Sequence, residues 1–192
     1  MATLTIIVGS TRPGRAGQPI AEWFAERARA HAGFDVEVAD LAEIGLPLLD
    51  EPSHPRLVQY TKQHTKDWSA IIDRADAIVF VTPEYNYGYP ASIKNAIDFL
   101  HREWRDKPVG FVSYGGVAAG TRAVQQLKQV VTTLRMVPVF DSVNIPFHAQ
   151  LIADGKFLSN DVINQSADTM LDELQRVEPA LHQLRAPATQ PA

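Results

Sequence analysis

The stretch from Val79 to Phe99, VFVTPEYNYGYPASIKNAIDF, joins an apolar strand to an amphipathic helix through a loop of unusual composition. Pro83 and Pro90 lack a backbone donor and fix φ, so neither the strand nor the helix runs through the joint. Between them stand a carboxylate, an amide and three phenols: Glu84, Tyr85, Asn86, Tyr87 and Tyr89. A loop that only connects two elements rarely exposes so much aromatic area, although tyrosines packed on their neighbours would give the same composition. Two other loops are as distinctive. GSTRPGRAGQ, residues 9–18, offers backbone N–H groups at Gly9 and Gly14, the hydroxyls of Ser10 and Thr11, the guanidinium groups of Arg12 and Arg15, and the start of a helix. That combination suits a dianionic phosphate, without the dinucleotide GxGxxG or the lysine of a nucleoside-triphosphate loop. Ser113, Tyr114, Gly115 and Gly116 allow a close backbone approach to a planar ring.

The elements that must position these loops follow from periodicity. Leu4, Ile6 and Val8 lie in the nearly continuous apolar run TLTIIVG, as expected of a strand covered on both faces. Ile20, Trp23, Phe24 and Ala28 form one face of a helix, and FDVEVADL (Phe34 to Leu41) alternates as a second strand. GLPLLDEPSHP reads as a long connection and Leu57 to Arg74 as a helix. Ala77 to Val81 is the third strand, followed by a helix carrying Ile93, Ala96, Ile97 and Leu100. PVGFVSYGG is the fourth strand, and Val124, Leu127, Val130, Val131 and Leu134 line the next helix. Met136 to Val143, interrupted by Pro138, reads as a fifth strand at a sheet edge. Asn144 to Lys156 is irregular, with a short hairpin at Asp154 and Gly155, and a last helix starts near Asp161 and is kinked or ended by Pro179.

Strands alternating with helices predict an α/β three-layer sandwich, a five-stranded parallel sheet of order 2-1-3-4-5 with helices on both faces. Strands one, three and four are then neighbours, and the loops 9–18, 82–90 and 113–120 line one crevice at their carboxyl ends. A phosphate site at one end and flat walls at the other describe a mononucleotide.

Composition narrows the classes. The chain has 192 residues, 45% of them hydrophobic, which fits one domain over residues 1–185 followed by a flexible tail, APATQPA, at 186–192. A net charge of -4 with mixed signs gives no basic face for nucleic acid or anionic membrane, so the expected partner is a small molecule. The absence of cysteine excludes disulfides, thiolate metal sites and cysteine nucleophiles. The six histidines fall in no metal-ligand pattern, so no metal site is expected. No secretory leader or membrane-length apolar run is visible, which predicts a cytoplasmic protein. Glu84 is the sole carboxylate of the three loops, which disfavours a hydrolase on this scaffold.

GSTR-x-x-R after strand one, PEYN with the following P-x-S-I-K-N-A-I-D-F after strand three, and S-Y-G-G after strand four together resemble the NADPH-dependent FMN reductase family, with its flavodoxin-like fold. The resemblance covers most of residues 3–145, and PEYN followed by KNAIDF is its specific part. It implies non-covalent FMN and two-electron transfer from NADH or NADPH to quinones, azo compounds, free flavin or similar acceptors. On the family's pattern Ser10, Arg12 and the region through Arg15, Gly17 and Gln18 form the FMN phosphate loop. Pro83, Glu84, Tyr85, Asn86 and Tyr87 run beside the ribityl and isoalloxazine, and Ser113, Tyr114, Gly115 and Gly116 meet the pyrimidine edge. No side chain is required as acid, base or nucleophile, since the flavin carries the chemistry. An electron shuttle or redox sensor without nicotinamide turnover is the competing reading. Tyr87, Tyr89, Trp104 and Phe147 lie in or near irregular segments and cannot all join the central core, which, with the family's habit, predicts a homodimer or homotetramer.

Overall fold

A computed structural model of the chain describes residues 1–185, so the tail expected at 186–192 lies outside the described residues. In chain order the elements are β1 (Thr3–Val8), α1 (Gly17–His31), β2 (Asp35–Asp40), α2 (Leu41–Ile44), α3 (Gln63–Arg74), β3 (Ala77–Pro83), α4 (Ala91–Asp98) and β4 (Pro108–Tyr114). They continue with α5 (Thr121–Thr133), β5 (Val137–Pro138), β6 (Val143–Ile145), the hairpin strands β7 (Ile152–Ala153) and β8 (Lys156–Phe157), and α6 (Asp161–Arg185).

The main sheet is parallel and runs β2-β1-β3-β4-β5, with β6 also paired to β4. Alternation in the strands divides the core between two faces. Leu4, Ile6, Val8, Val79 and Val81 pack under α1 and α6, against Phe24, Met170 and Leu174. Ile7, Ile78, Phe80 and Phe111 pack under α3, α4 and α5, against Trp68, Ile97 and Leu127. Trp104 belongs to this second layer. It is fully buried, its ring 6.0 Å from that of Trp68 and its indole N–H donating to the Ile97 carbonyl at 3.1 Å. Of the four aromatic residues that could not all join the core, Trp104 is the one that does: a single 3-10 turn, Arg102–Trp104, is enough to swing it inward.

Three local boundaries differ from the sequence reading, each for a local reason. The helix expected from Leu57 begins at Gln63, because residues 55–57 form a separate 3-10 turn closed by Val58 at φ 54°. The Glu51 carboxylate then takes up the Thr61 and Lys62 amides, each at 2.9 Å, and holds the chain extended into the helix. The fifth strand is split, since Pro138 has no N–H to carry the ladder onward, and the chain returns to β4 at Val143. α6 passes through Pro179 without ending. Beyond the proline Arg185 ties the last turn to the sheet, bonding the Asp76 and Asp106 carbonyls and the Asp76 and Glu178 carboxylates.

Candidate active site at the carboxyl end of the sheet

Parallel register brings the ends of β1, β3 and β4 level: Val8 lies opposite Val81, and Pro83 opposite Tyr114. Beyond those pairs the three loops stay tied to one another. The Gly9 amide donates to the Val81 carbonyl at 2.9 Å, and the Glu84 amide donates to the Tyr114 carbonyl at 3.2 Å. Gly9 has to be glycine here, since a β-carbon would fall 2.3 Å from the Ile93 side chain.

Ser10 is fully buried, and its hydroxyl lies 2.7 Å from that of Tyr85, joining the first and third loops. The next residues turn between Arg12 and Arg15, with Gly14 at φ 69°, and lead into α1. Among the described residues the start of α1 has no side-chain cap and no acidic residue in its first turn, so the Gly17 and Gln18 amides and the positive dipole end suit an anion. Beside it the Tyr114 hydroxyl is buried next to Ser10 and, among the described residues, has no hydrogen-bond partner of good geometry. It abuts Gly17 so closely that a β-carbon there would come within 2.7 Å of it. Burial, then the neighbouring Tyr85 hydroxyl, push the Tyr114 pKa up, which keeps this phenol a proton donor at neutral pH. An uncapped helix start, a buried orphan donor and a nearby guanidinium form a cradle for an anion.

The side chains divide between the crevice and its supports. Arg12 is exposed at the rim and, among the described residues, pairs with no carboxylate. Arg15 pairs instead with Asp40, whose other oxygen accepts from the Ala42 amide at 2.9 Å and caps α2. The Gln18 amide reaches along the helix to Glu22 at 3.1 Å. The Glu84 carboxylate accepts from the Arg122 amide at 3.2 Å and pairs with the Arg122 guanidinium, tying the loop after β3 to the start of α5. Ser113 is also spent internally, its hydroxyl 2.8 Å from the Ala119 carbonyl and 3.0 Å from the Asn144 amide oxygen.

Tyr85, Asn86, Tyr87 and Gly88 form a tight turn, with both Tyr85–Gly88 backbone hydrogen bonds at 2.9 Å. Asn86 and Tyr87 take φ values of 49° and 71°, as a type I′ turn requires. Asparagine tolerates that backbone, but a tyrosine there is strained. The Tyr87 ring is held under the Arg122 guanidinium, 3.8 Å from its centroid, and Gln126 donates to the Tyr87 carbonyl at 2.9 Å. Gly116 is exposed on the opposite loop, with open space where a side chain would stand. Pro83 remains buried in β3 and serves as the floor.

The profile of NADPH-dependent FMN reductase matches residues 2–150. An NAD(P)H-dependent FMN reductase of Schizosaccharomyces pombe is 43% identical over 147 residues, 74% of this chain and 73% of the relative. The chain belongs to the NADPH-dependent FMN reductase family. An FMN-dependent NADPH-azoreductase of Staphylococcus haemolyticus is 27% identical, covering 88% of this chain and 91% of that one. Among solved structures, the flavoenzyme NAD(P)H:(acceptor) oxidoreductase FerB of Paracoccus denitrificans superposes with a TM-score of 0.74 at 25% identity, covering 92% of this chain and 99% of that one.

The fold is thus flavodoxin-like and the protein an oxidoreductase that uses FMN and NAD(P)H. The cradle fits this family's cofactor: the uncapped α1 and the buried Tyr114 hydroxyl suit a phosphate, and the open space at Gly116 suits the close approach of a flat ring. One residue of the site escaped the sequence reading. His148, within the segment read as irregular, stands edge-on to Tyr114 with ring centroids 5.0 Å apart. No motif marks it, and only the 3-10 turn His148–Leu151 that folds back over Gly115 reveals its place.

Proposed function

We propose that the protein transfers two electrons from NAD(P)H through bound FMN to a quinone, azo compound, free flavin or similar small acceptor, by a ping-pong sequence. The observation that carries this is the convergence of the uncapped α1, the orphan Tyr114 hydroxyl and the strained Tyr87 turn at one end of the sheet. Bound FMN supplies the redox chemistry, and the protein supplies position and electronics. Ser10, Arg12, Gly17 and Gln18 would hold the phosphate, joined by Tyr114, which the resemblance set at the pyrimidine edge but whose hydroxyl abuts Gly17 at the start of α1; the turn from Tyr85 to Tyr87 would form one wall, and Gly115 and Gly116 the edge. Glu84, Arg15 and Ser113 act a step behind, fixing the loops that make these contacts.

Were FMN held in the cradle with one ring face against the protein, nicotinamide and acceptor would take turns at the other, since both need a near-attack distance of roughly 3–3.5 Å. Initial velocity against NADPH at several fixed benzoquinone concentrations then gives parallel double-reciprocal lines. Intersecting lines would require a ternary complex and overturn the ping-pong reading. Absence of anaerobic flavin bleaching by both NADH and NADPH would make the protein a shuttle or sensor instead. Tyr87 at 64% exposure and Phe147 at 50% remain on the surface, and the reading includes a homodimer or homotetramer that covers them. Light scattering that reports a monomer at micromolar concentration would remove that part.

A further inference from the structure

Phe147 and His148 are fixed against the loop that follows β4 by three hydrogen bonds, two of them made by His148. Its ring Nδ1 lies 2.9 Å from the Gly115 carbonyl oxygen. The backbone amides of His148 and Phe147 donate to the Gly115 and Gly116 carbonyls at 3.3 and 3.2 Å. Phe147 takes a φ of 48° to permit this, a strained conformation for an aromatic residue. Because a carbonyl oxygen only accepts, Nδ1 carries the proton, and Nε2 is the nitrogen left free. The ring lines a cleft of about 550 Å³ together with Arg12, Gly14, Arg15 and Gln18.

The charged and titratable groups around it are few. From the first loop come Arg12 and Arg15, the latter paired with Asp40; from α1 comes Glu22, which already accepts from Gln18; from β4 comes the Tyr114 phenol. The buried, unpartnered Tyr114 hydroxyl marks this corner independently as one built for a ligand.

We propose that His148 is a pH-dependent ligand of the cofactor phosphate. Protonated, it presents an Nε2–H and a positive charge to the anion; neutral, it presents a lone pair that repels an anionic oxygen. The proposal rests on the FMN reading and adds to it a proton that is taken up when the phosphate binds. His148 is a positioning residue for the cofactor and takes no part in electron transfer.

The test uses the full chain stripped of flavin, parent and His148→Gln, titrated with FMN and with riboflavin at about pH 6 and about pH 8, either side of the ordinary histidine range. Ionisation of the phosphate of free FMN near pH 6 enters both titrations alike and cancels in their ratio. The expected result is that the parent's advantage over His148→Gln in FMN affinity is about tenfold larger at the lower pH, as loss of one charge-assisted hydrogen bond implies. For riboflavin, which lacks the phosphate, that ratio stays constant. An FMN ratio that ignores pH, or a riboflavin ratio that follows it, overturns the proposal while leaving the FMN reading intact. A parent protein that binds no flavin overturns both. Should His148→Gln fail to fold, a histidine-labelled parent answers by NMR: the His148 ring must titrate at higher pH with FMN bound than with riboflavin bound, and equal titration refutes the role.

Discussion

Replacing Tyr114 by phenylalanine should have opposite effects on the flavin-free and flavin-bound protein. The Tyr114 hydroxyl is shielded from solvent and, among the described residues, without a hydrogen-bond partner. An unsatisfied group of this kind costs roughly 1–3 kcal/mol. Phenylalanine keeps the ring and its contact with His148 and leaves no cavity larger than one oxygen atom. Flavin-free Tyr114→Phe is therefore expected to be about 1 kcal/mol more stable than the parent, a rise of about 2–4 °C in Tm for a chain of this size. If, as proposed, the same hydroxyl donates to the charged phosphate of bound FMN, a bond worth about 1.5 kcal/mol or more, the Kd for FMN should rise about tenfold. At a free FMN concentration of about 100 times the parent's Kd, the parent gains about 2.7 kcal/mol and the variant only about 1.4. Denaturation curves that differ without flavin should thus converge with it. The assay is urea unfolding of both proteins with and without FMN. A flavin-free variant about 1 kcal/mol less stable than the parent would mean that the hydroxyl has a protein partner, with Ser10 the nearest candidate, and the cradle argument would fail.

Arg12→Ala should weaken FMN binding by about 2 kcal/mol without changing the fold, whereas Arg15→Ala, which breaks the tie to Asp40, should lower stability more than affinity; flavin titration and thermal melts of the two variants separate these, and the reverse pattern would exchange their roles. Glu51 is raised by burial but lowered further by hydrogen bonds from Thr61, Lys62 and Thr65, to a pKa of about 2 from 4.5. Its folded pKa being depressed, its contribution is complete above pH 4.5 and is lost as pH falls toward about 2, so acid unfolding of Glu51→Gln should be less steep there than that of the parent. Lys107 is lowered by burial and by Arg185 to a pKa of about 8 from 10.5. The unfolded chain then holds more protons in that window, and stability should rise with pH between about 8 and 10.5 relative to Lys107→Met; a flat difference curve would mean that its bonds to the Ile72 and Asp73 carbonyls hold the ammonium charged.

The sheet order and the crevice were legible because both depend on patterns repeated along the chain. Buried strands such as Ala77–Pro83 are apolar at nearly every position, and proline or glycine stands where each loop leaves the sheet. What escaped depends on single contacts across the fold. Nothing in the sequence around residue 57 announces that Glu51 will bind the amides of Thr61 and Lys62 and set the start of α3. Nothing around Trp104 says that one 3-10 turn will bury it.

The same distinction explains why the motif residues are not all equal at the site. A motif records that a position is constrained, and several constraints yield the same letter. Glu84 sits in the most specific stretch of the chain, yet its carboxylate is 7% exposed and spent on Arg122, at the start of the helix that follows the fourth loop. The strained Tyr87 ring lies against that same guanidinium. Glu84 therefore reaches the crevice through the backbone it fixes: without it, the start of α5 loses its cap, Arg122 loses its anchor, and the wall that Tyr87 provides loses its support. On the proposed reading Glu84 braces the loop that stands beside the cofactor, and its substitution would register first as lost order in residues 84–88 and only then as lost affinity.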